Sequence, residues 1–296
     1  MVLLRPALNY AVLAACFALA ACGKEPPWNA PDWRPATPAQ RIVAGSVLAV
    51  ESLLEVIDHD RLVGAHTFAA DERYSLVANM AKDLPLLGAS PEQLLSVRPD
   101  LVLVDAFTRA ETLALLGAAN VPVVRTRDPH SFEDIEANLR LLGRVTHLDQ
   151  EVEQIIAATT EKLEAIRLAG KDLQEWRVLS LDGALHTYGE GSLFDVITRT
   201  AGARNLAAER GVGAFRKLDI EEVLAWRPDA LVLSGEPPQD GAVPTWVTQC
   251  PGLELLPCVA AGRILYVPSR LLITTSHRLV DSAAFVQKQL LEWGKP

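Results

Sequence analysis

Basic blocks, cofactor signatures and a surplus of cysteine are all missing from this sequence. Lys and Arg number 28 against 37 Asp and Glu over 296 residues, a formal net charge of −9. An acidic chain without Lys/Arg runs is poorly suited to gripping phosphate backbones, which excludes nucleic acid as a partner. No G-x-x-x-x-G-K-S/T phosphate loop, G-x-S-x-G elbow, H-E-x-x-H helix or C-x-x-C pair occurs, so nothing marks a nucleophile, a phosphate cradle or a catalytic metal. Gly189-Glu190-Gly191 and Gly211-Val212-Gly213 lack the third glycine of a dinucleotide loop. No residue is assigned a catalytic role and no resident cofactor is expected.

Long apolar runs are scarce too. The exception is the uncharged stretch from Pro6 to Gly23, short for a membrane span and suited to the h-region of a secretory signal. It ends in Leu19-Ala20-Ala21-Cys22, similar to the bacterial lipobox, in which small residues precede a Cys that is acylated and becomes the mature N-terminus. A signal peptide is expected over 1–21 and a lipid anchor at Cys22, held stably because two or more acyl chains bind a membrane far better than one. The expected location is the cell envelope, at its extracytoplasmic face. Of the remaining cysteines, Cys16 leaves with the signal, and Cys250 and Cys258 stay. In an oxidising compartment they read as a disulfide, with two free thiols as the alternative.

Residues 22–40 hold five prolines and no periodicity, as a tether would. Beyond it, Ser90-Pro91-Glu92-Gln93-Leu94-Leu95-Ser96-Val97-Arg98-Pro99-Asp100 recurs 129 residues later as Asp219-Ile220-Glu221-Glu222-Val223-Leu224-Ala225-Trp226-Arg227-Pro228-Asp229. Each copy reads as a capped short helix, a stop at Arg-Pro-Asp, then a continuous apolar strand of a parallel sheet covered on both faces. Such a period means two similar α/β lobes, 41–148 and 177–296. Between them, Val152, Ile155, Ile156, Thr159, Leu163 and Ile166 fall at helical spacing. A bridging helix is expected from Asp149, continuing towards Trp176.

Several segments together resemble a known family. They are Arg41-Ile42-Val43, the two Arg-Pro-Asp units, Val121-Pro122-Val123-Val124, Tyr188-Gly189-Glu190-Gly191-Ser192, the run Ala201–Ala207 and the run Gly262–Pro268. The resemblance is to the periplasmic binding proteins of ABC importers for iron-siderophores, haem and cobalamin. It implies an α/β fold of two Rossmann-like lobes with central parallel sheets, bridged by one long helix, with the ligand in the cleft. It also implies a monomeric receptor that hands a metal chelate or corrinoid, carrying iron or cobalt, to a permease dimer. Glu92 and Glu221 are similar to the family's glutamates that pair with permease arginines.

Ligand contacts in such sheets lie beyond the carboxyl ends of the strands. That rule selects Phe68, Tyr74, Phe107 and Arg109 in the first lobe, and His186, Tyr188, Phe215 and His277 in the second. Aromatic faces and a few donors suit a large flat ligand, and Arg109 is placed to meet its carboxylates. Ordinary core packing is the competing role for each aromatic, and pairing with Glu111 for Arg109. An alternative chemistry is direct capture of a transition-metal ion by His66, His186 and His277. An envelope enzyme or a sensor on the same fold is the remaining class.

Overall fold

The computed structural model describes residues 26–238 and 243–296. The expected signal peptide and Cys22 lie outside the described residues. The chain divides into two units, Met1–Trp33 and Arg34–Pro296. In the first, the described residues form one 3-10 turn at Pro27–Asn29. Both lobes lie in the second.

The first lobe is built on β1 (Ile42–Ala44), β2 (Leu62–His66), β3 (Leu86–Leu87), β4 (Leu101–Val104) and β5 (Val123–Arg125). They run parallel in the order β3-β2-β1-β4-β5. The second lobe holds β6 (Arg177–Ser180), β7 (His186–Thr187), β8 (Arg204–Asn205), β9 (Arg216–Lys217), β10 (Ala230–Ser234) and β11 (Ile264–Val267). There the parallel sheet is β11-β10-β6-β8, and β7 pairs with β9 as an antiparallel ribbon. In each sheet the chain winds outward one way and then the other. The turning points, β1/β4 and β6/β10, are where an α/β sheet opens a crevice at its carboxyl edge.

The unbroken apolar strands reflect burial on both faces. Val178, Ala230, Val232, Leu265 and Val267 enter one cluster of the second lobe, while their alternating neighbours Leu179, Leu231, Leu233 and Ile264 enter another. The helices that position the site are α1 (Val47–Leu53), α2 (Pro91–Ser96), α3 (Phe132–Thr146), α4 (Asp149–Ala169), α5 (Leu193–Thr200), α6 (Ile220–Trp226), α7 (Ser269–Ile273) and α8 (Leu279–Trp293).

The long helix is α4, 21 residues and about 30 Å. At its start Val152 packs on Gly143 of α3; further along, Ile156, Leu163 and Ile166 join the core of the second lobe. It stops at Ala169, short of Trp176. At Gly170 the backbone meets the 201–202 turn so closely that a Cβ would lie 2.6 Å from the Ala201 carbonyl oxygen. Gln287 of α8 donates to the carbonyls of Ile166 and Ala201, at 2.6 and 3.0 Å. Trp176 is fully buried with its indole N–H on the Gly294 carbonyl, 3.0 Å away, and serves the core instead of the helix.

The repeat has a structural cause. Arg98 and Arg227 both adopt left-handed backbone, φ 49° and 50°, a conformation that costs about 1–2 kcal/mol outside glycine. The following Asp then caps the first strand of its lobe. Asp100 accepts from the amides of Gln40 and Arg41, at 2.8 and 2.9 Å, and Asp229 from that of Arg177 at 2.9 Å. The copies differ in one respect. Arg177 forks onto Asp229, whereas Arg41 turns to the carbonyls of Arg98 and Val97.

Candidate functional site

Three cavities meet at Phe107, which is 72% exposed and follows the carboxyl end of β4. The largest, about 740 Å³, has walls from both lobes: Phe107, Asp128, Pro129 and His130 from one, and Ser180, Asp182, Tyr188, Gly191, Ser192, Phe215 and Ser234 from the other. Leu272, Ile273 and Thr275, around the end of α7, close it. A second cavity of about 220 Å³ continues into the first lobe past Phe68, Tyr74, His66, Arg127 and Glu51. A third, about 420 Å³, lies against Gly45, His66, Ser90, Thr108, Arg109 and Thr112.

Strand register explains the aromatic wall. On the β7–β9 ribbon His186 faces Lys217 and Thr187 faces Arg216, so Tyr188 and Phe215 stand opposite each other just beyond it. Their ring centroids are 5.2 Å apart. Gly189 permits this turn: its amide bonds the Gly213 carbonyl, and a Cβ would collide with the Val212 carbonyl. Across the cleft, Phe68 and Tyr74 stack at 4.7 Å, with the His66 ring edge-on to Phe68 at 5.2 Å.

The polar groups are largely committed. Asp105 accepts from the Phe107 amide and the Thr108 hydroxyl. Asp182 accepts from the amides of Ala184 and His186 and from the His186 ring. Burial raises its pKa, but these donors outweigh it and hold the carboxyl below the usual range. His66 accepts from the Phe68 amide through Nδ1, 3.2 Å, which leaves its proton on Nε2. Burial lowers its pKa against the opposing pull of Asp105. His130 Nδ1 donates to the Gly191 carbonyl, 3.0 Å, across the cleft. Arg127 and Arg109 have no ion-pair partner among the described residues.

Of the residues selected from the sequence, Phe68, Tyr74, Phe107, Tyr188 and Phe215 line the two cleft cavities, and Arg109 lines the third. His186 sits against Phe215, 4.9 Å between centroids, but lines none of these three cavities. His277 is corrected outright: it is 9% exposed and lines none of the three. Its Nδ1 is buried without a hydrogen bond, and burial pushes its pKa down to about 4, with Arg278 adding to the shift. The alternative histidine set fails with it, since no three His, Cys, Asp or Glu among the described residues stand close enough to hold a metal ion. The expected disulfide is also absent. Cys250 and Cys258 are free thiols, each packed into the apolar core of the second lobe. Burial raises the Cys258 pKa to about 11. Sequence spacing does not separate a core thiol from a bridged one.

Three cleft residues escaped the sequence reading: Arg127, Asp128 and His130. They follow the carboxyl end of β5, so the rule that found Phe107 would have found them. Glu51 had no such signal, since it lies inside the apolar helix α1.

Glu92 and Glu221 occupy the first turns of α2 and α6, exposed, and neither has an ion-pair or hydrogen-bond partner among the described residues. Glu222, beside the latter, is spent locally on the Asp219 amide and on Arg216. Those same contacts lower its pKa.

Against known proteins, the profile of the periplasmic binding protein family matches residues 42–271. The chain belongs to this family. Among relatives, the molybdate-binding protein MolA of Haemophilus influenzae is 25% identical over 182 residues, 54% of this chain and 52% of that protein. The vitamin B12-binding protein of Pectobacterium carotovorum is 28% identical over 166 residues, 54% of this chain and 59% of the other. The chain thus spans about half the length of the curated relatives it matches. Among solved structures, the periplasmic heme-binding protein RhuT of Roseiflexus sp. RS-1, in apo form, superposes with a TM-score of 0.74 at 25% identity. That match covers 86% of this chain and 98% of the other. The two-lobed fold with parallel sheets and a long helix is the one expected from the sequence.

Proposed function

We propose that this protein is the lipid-anchored receptor of an ABC importer, capturing a flat metal chelate, an iron or cobalt tetrapyrrole such as haem or a corrinoid, and delivering it to the permease. The observation that carries the reading is the 740 Å³ cavity walled by Phe107, Tyr188 and Phe215. Its size falls within the ~300–1,000 Å³ range of sites for ligands of this bulk. Exposed aromatic faces in a cleft bind planar rings by area and stacking. A small oxyanion such as molybdate finds less there, because this wall holds Asp128 and Asp182 and no Lys or Arg. Iron-siderophores remain in the same chelate class.

Binding and delivery need no catalytic group, in keeping with relatives that are binding proteins. Anchoring at Cys22 rests on the lipobox-like sequence, and it would hold the receptor at an extracytoplasmic membrane face of the envelope. Docking rests on Glu92 and Glu221, one free carboxylate per lobe at equivalent turns. The test is native mass spectrometry of protein purified from envelopes under non-denaturing conditions. A retained mass with the absorption of a tetrapyrrole or other metal chelate is expected. A retained oxyanion, or a bare metal ion, would replace the reading.

A further inference from the structure

One buried carboxyl in the cleft has no part in the chemistry above. Glu51 lies in α1 of the first lobe, 1% exposed, and reaches the wall of the 220 Å³ cavity. Its Oε1 accepts from the Leu76 amide at 2.8 Å. Its Oε2 accepts from two hydroxyls of the other lobe's chain, Thr274 at 2.7 Å and Ser276 at 2.6 Å. Asp105 and Asp182 serve their own loops; Glu51 alone of the three ties together segments more than 220 residues apart.

The tie continues one helical turn along. Glu55, in the turn just past α1, pairs with Arg278 at 2.8 Å, so Glu51 and Glu55 hold the two ends of the segment 274–278. That segment joins α7 to α8 and is ordered internally as well. The Thr274 hydroxyl accepts from the Ser276 amide, and the Ser276 hydroxyl from the Arg278 amide. Between the two gripped residues lies Thr275, which lines both the 220 Å³ and the 740 Å³ cavities. Thr274 reaches only the smaller of these cavities, so gripping 274 and 276 on either side of Thr275 sets where Thr275 meets the larger one.

We propose that Glu51 is a positioning residue that pins the C-terminal segment to the first lobe, fixing the cleft aperture and presenting Thr275 to the ligand. α4 joins the lobes by a single covalent rod; the Glu51 tie, like the His130–Gly191 hydrogen bond, joins them non-covalently beside the ligand. Removing it leaves the fold of either sheet intact and frees the segment. The ligand part of this inference rests on the proposed chelate site, whereas the pinning itself does not.

The test uses the full chain carrying Glu51→Gln, which keeps the shape, and separately the pair Thr274→Val with Ser276→Ala, which removes the donors. In ligand-free protein, amide exchange at 274–278 is expected to rise about tenfold or more in both, with β6 and β10 unchanged. With hemin as the probe, Glu51→Gln and Thr275→Ala should each weaken binding about tenfold, and together scarcely more than either alone. Unchanged exchange at 274–278, accompanied only by a lower melting temperature, would overturn the pinning. A hundredfold multiplicative loss in the double variant would overturn the route through Thr275. Faster exchange in a protein that binds neither hemin nor cyanocobalamin would uphold the pinning and count against the chelate reading alone.

Discussion

His277 illustrates how one buried side chain can mislead a reading from sequence and still be consequential. It follows the cleft-facing Thr275 by two residues, and nothing local marks it as buried. In the structure it is neutral, with its pKa down at about 4 against an ordinary 6.5. The unfolded chain therefore binds a proton between these values that the folded chain refuses. Stability is fully present above about pH 6.5 and falls as the pH drops towards 4, by up to about 3 kcal/mol. Urea unfolding of the wild type at about pH 7 and pH 4.5 should show this loss. His277→Leu should remove most of it, and an unchanged pH slope in that variant would assign the effect elsewhere. Phe68 and Phe107 were legible because a single geometric rule, the carboxyl end of a parallel strand, applies to them, whereas Tyr188 and Phe215 flank the antiparallel β7–β9 ribbon. His277 and Glu51 were not legible, because their roles depend on which distant segment packs over them.

At the scale of elements, the Arg-Pro-Asp units were legible as a repeat, and with them the two lobes and the α2 and α6 turns. Their cause was not, because it lies in hydrogen bonds between the units and the strands Ile42–Ala44 and Arg177–Ser180, far away in sequence. The differing arginine partners lead to an asymmetry that can be measured. Asp229 accepts the Arg177 amide and both arms of its guanidinium, while Asp100 accepts only amides. Charge-assisted bonds of the first kind contribute about 1.5–3 kcal/mol. Asp229→Ala is expected to destabilise the second lobe by about that amount, and Asp100→Ala the first lobe by about half as much. Denaturant unfolding followed by lobe-resolved hydrogen exchange would distinguish the two; equal losses would contradict the asymmetry. The bridging helix was legible from its periodicity, but not its end. Gly170 stops it by its contact with the 201–202 turn, a tertiary constraint that no local pattern carries.

At the scale of the whole molecule, the two lobes repeat an acidic helix turn as well as their sheet. Glu92 and Glu221 sit free, while Ser90 and Asp219 cap the helix starts and the Glu222 side chain completes a capping box in the second copy alone. Rim charges chiefly set encounter rate, whereas a desolvated pair costs about 2–5 kcal/mol when one partner is cut away. The double variant Glu92→Ala, Glu221→Ala should keep its ligand affinity and melting temperature and lose stimulated uptake in vesicles carrying the permease. Wild-type uptake would remove these residues from docking. Absorbance titration with hemin and cyanocobalamin reads out the aromatic cleft itself. Wild-type protein is expected to bind at least one of them saturably. Tyr188→Ala combined with Phe215→Ala should weaken that binding about tenfold to a hundredfold, each ring contributing about 0.5–1.5 kcal/mol beyond its buried area. Failure of the wild type to bind either compound, or equal affinity in the double variant, would contradict the account.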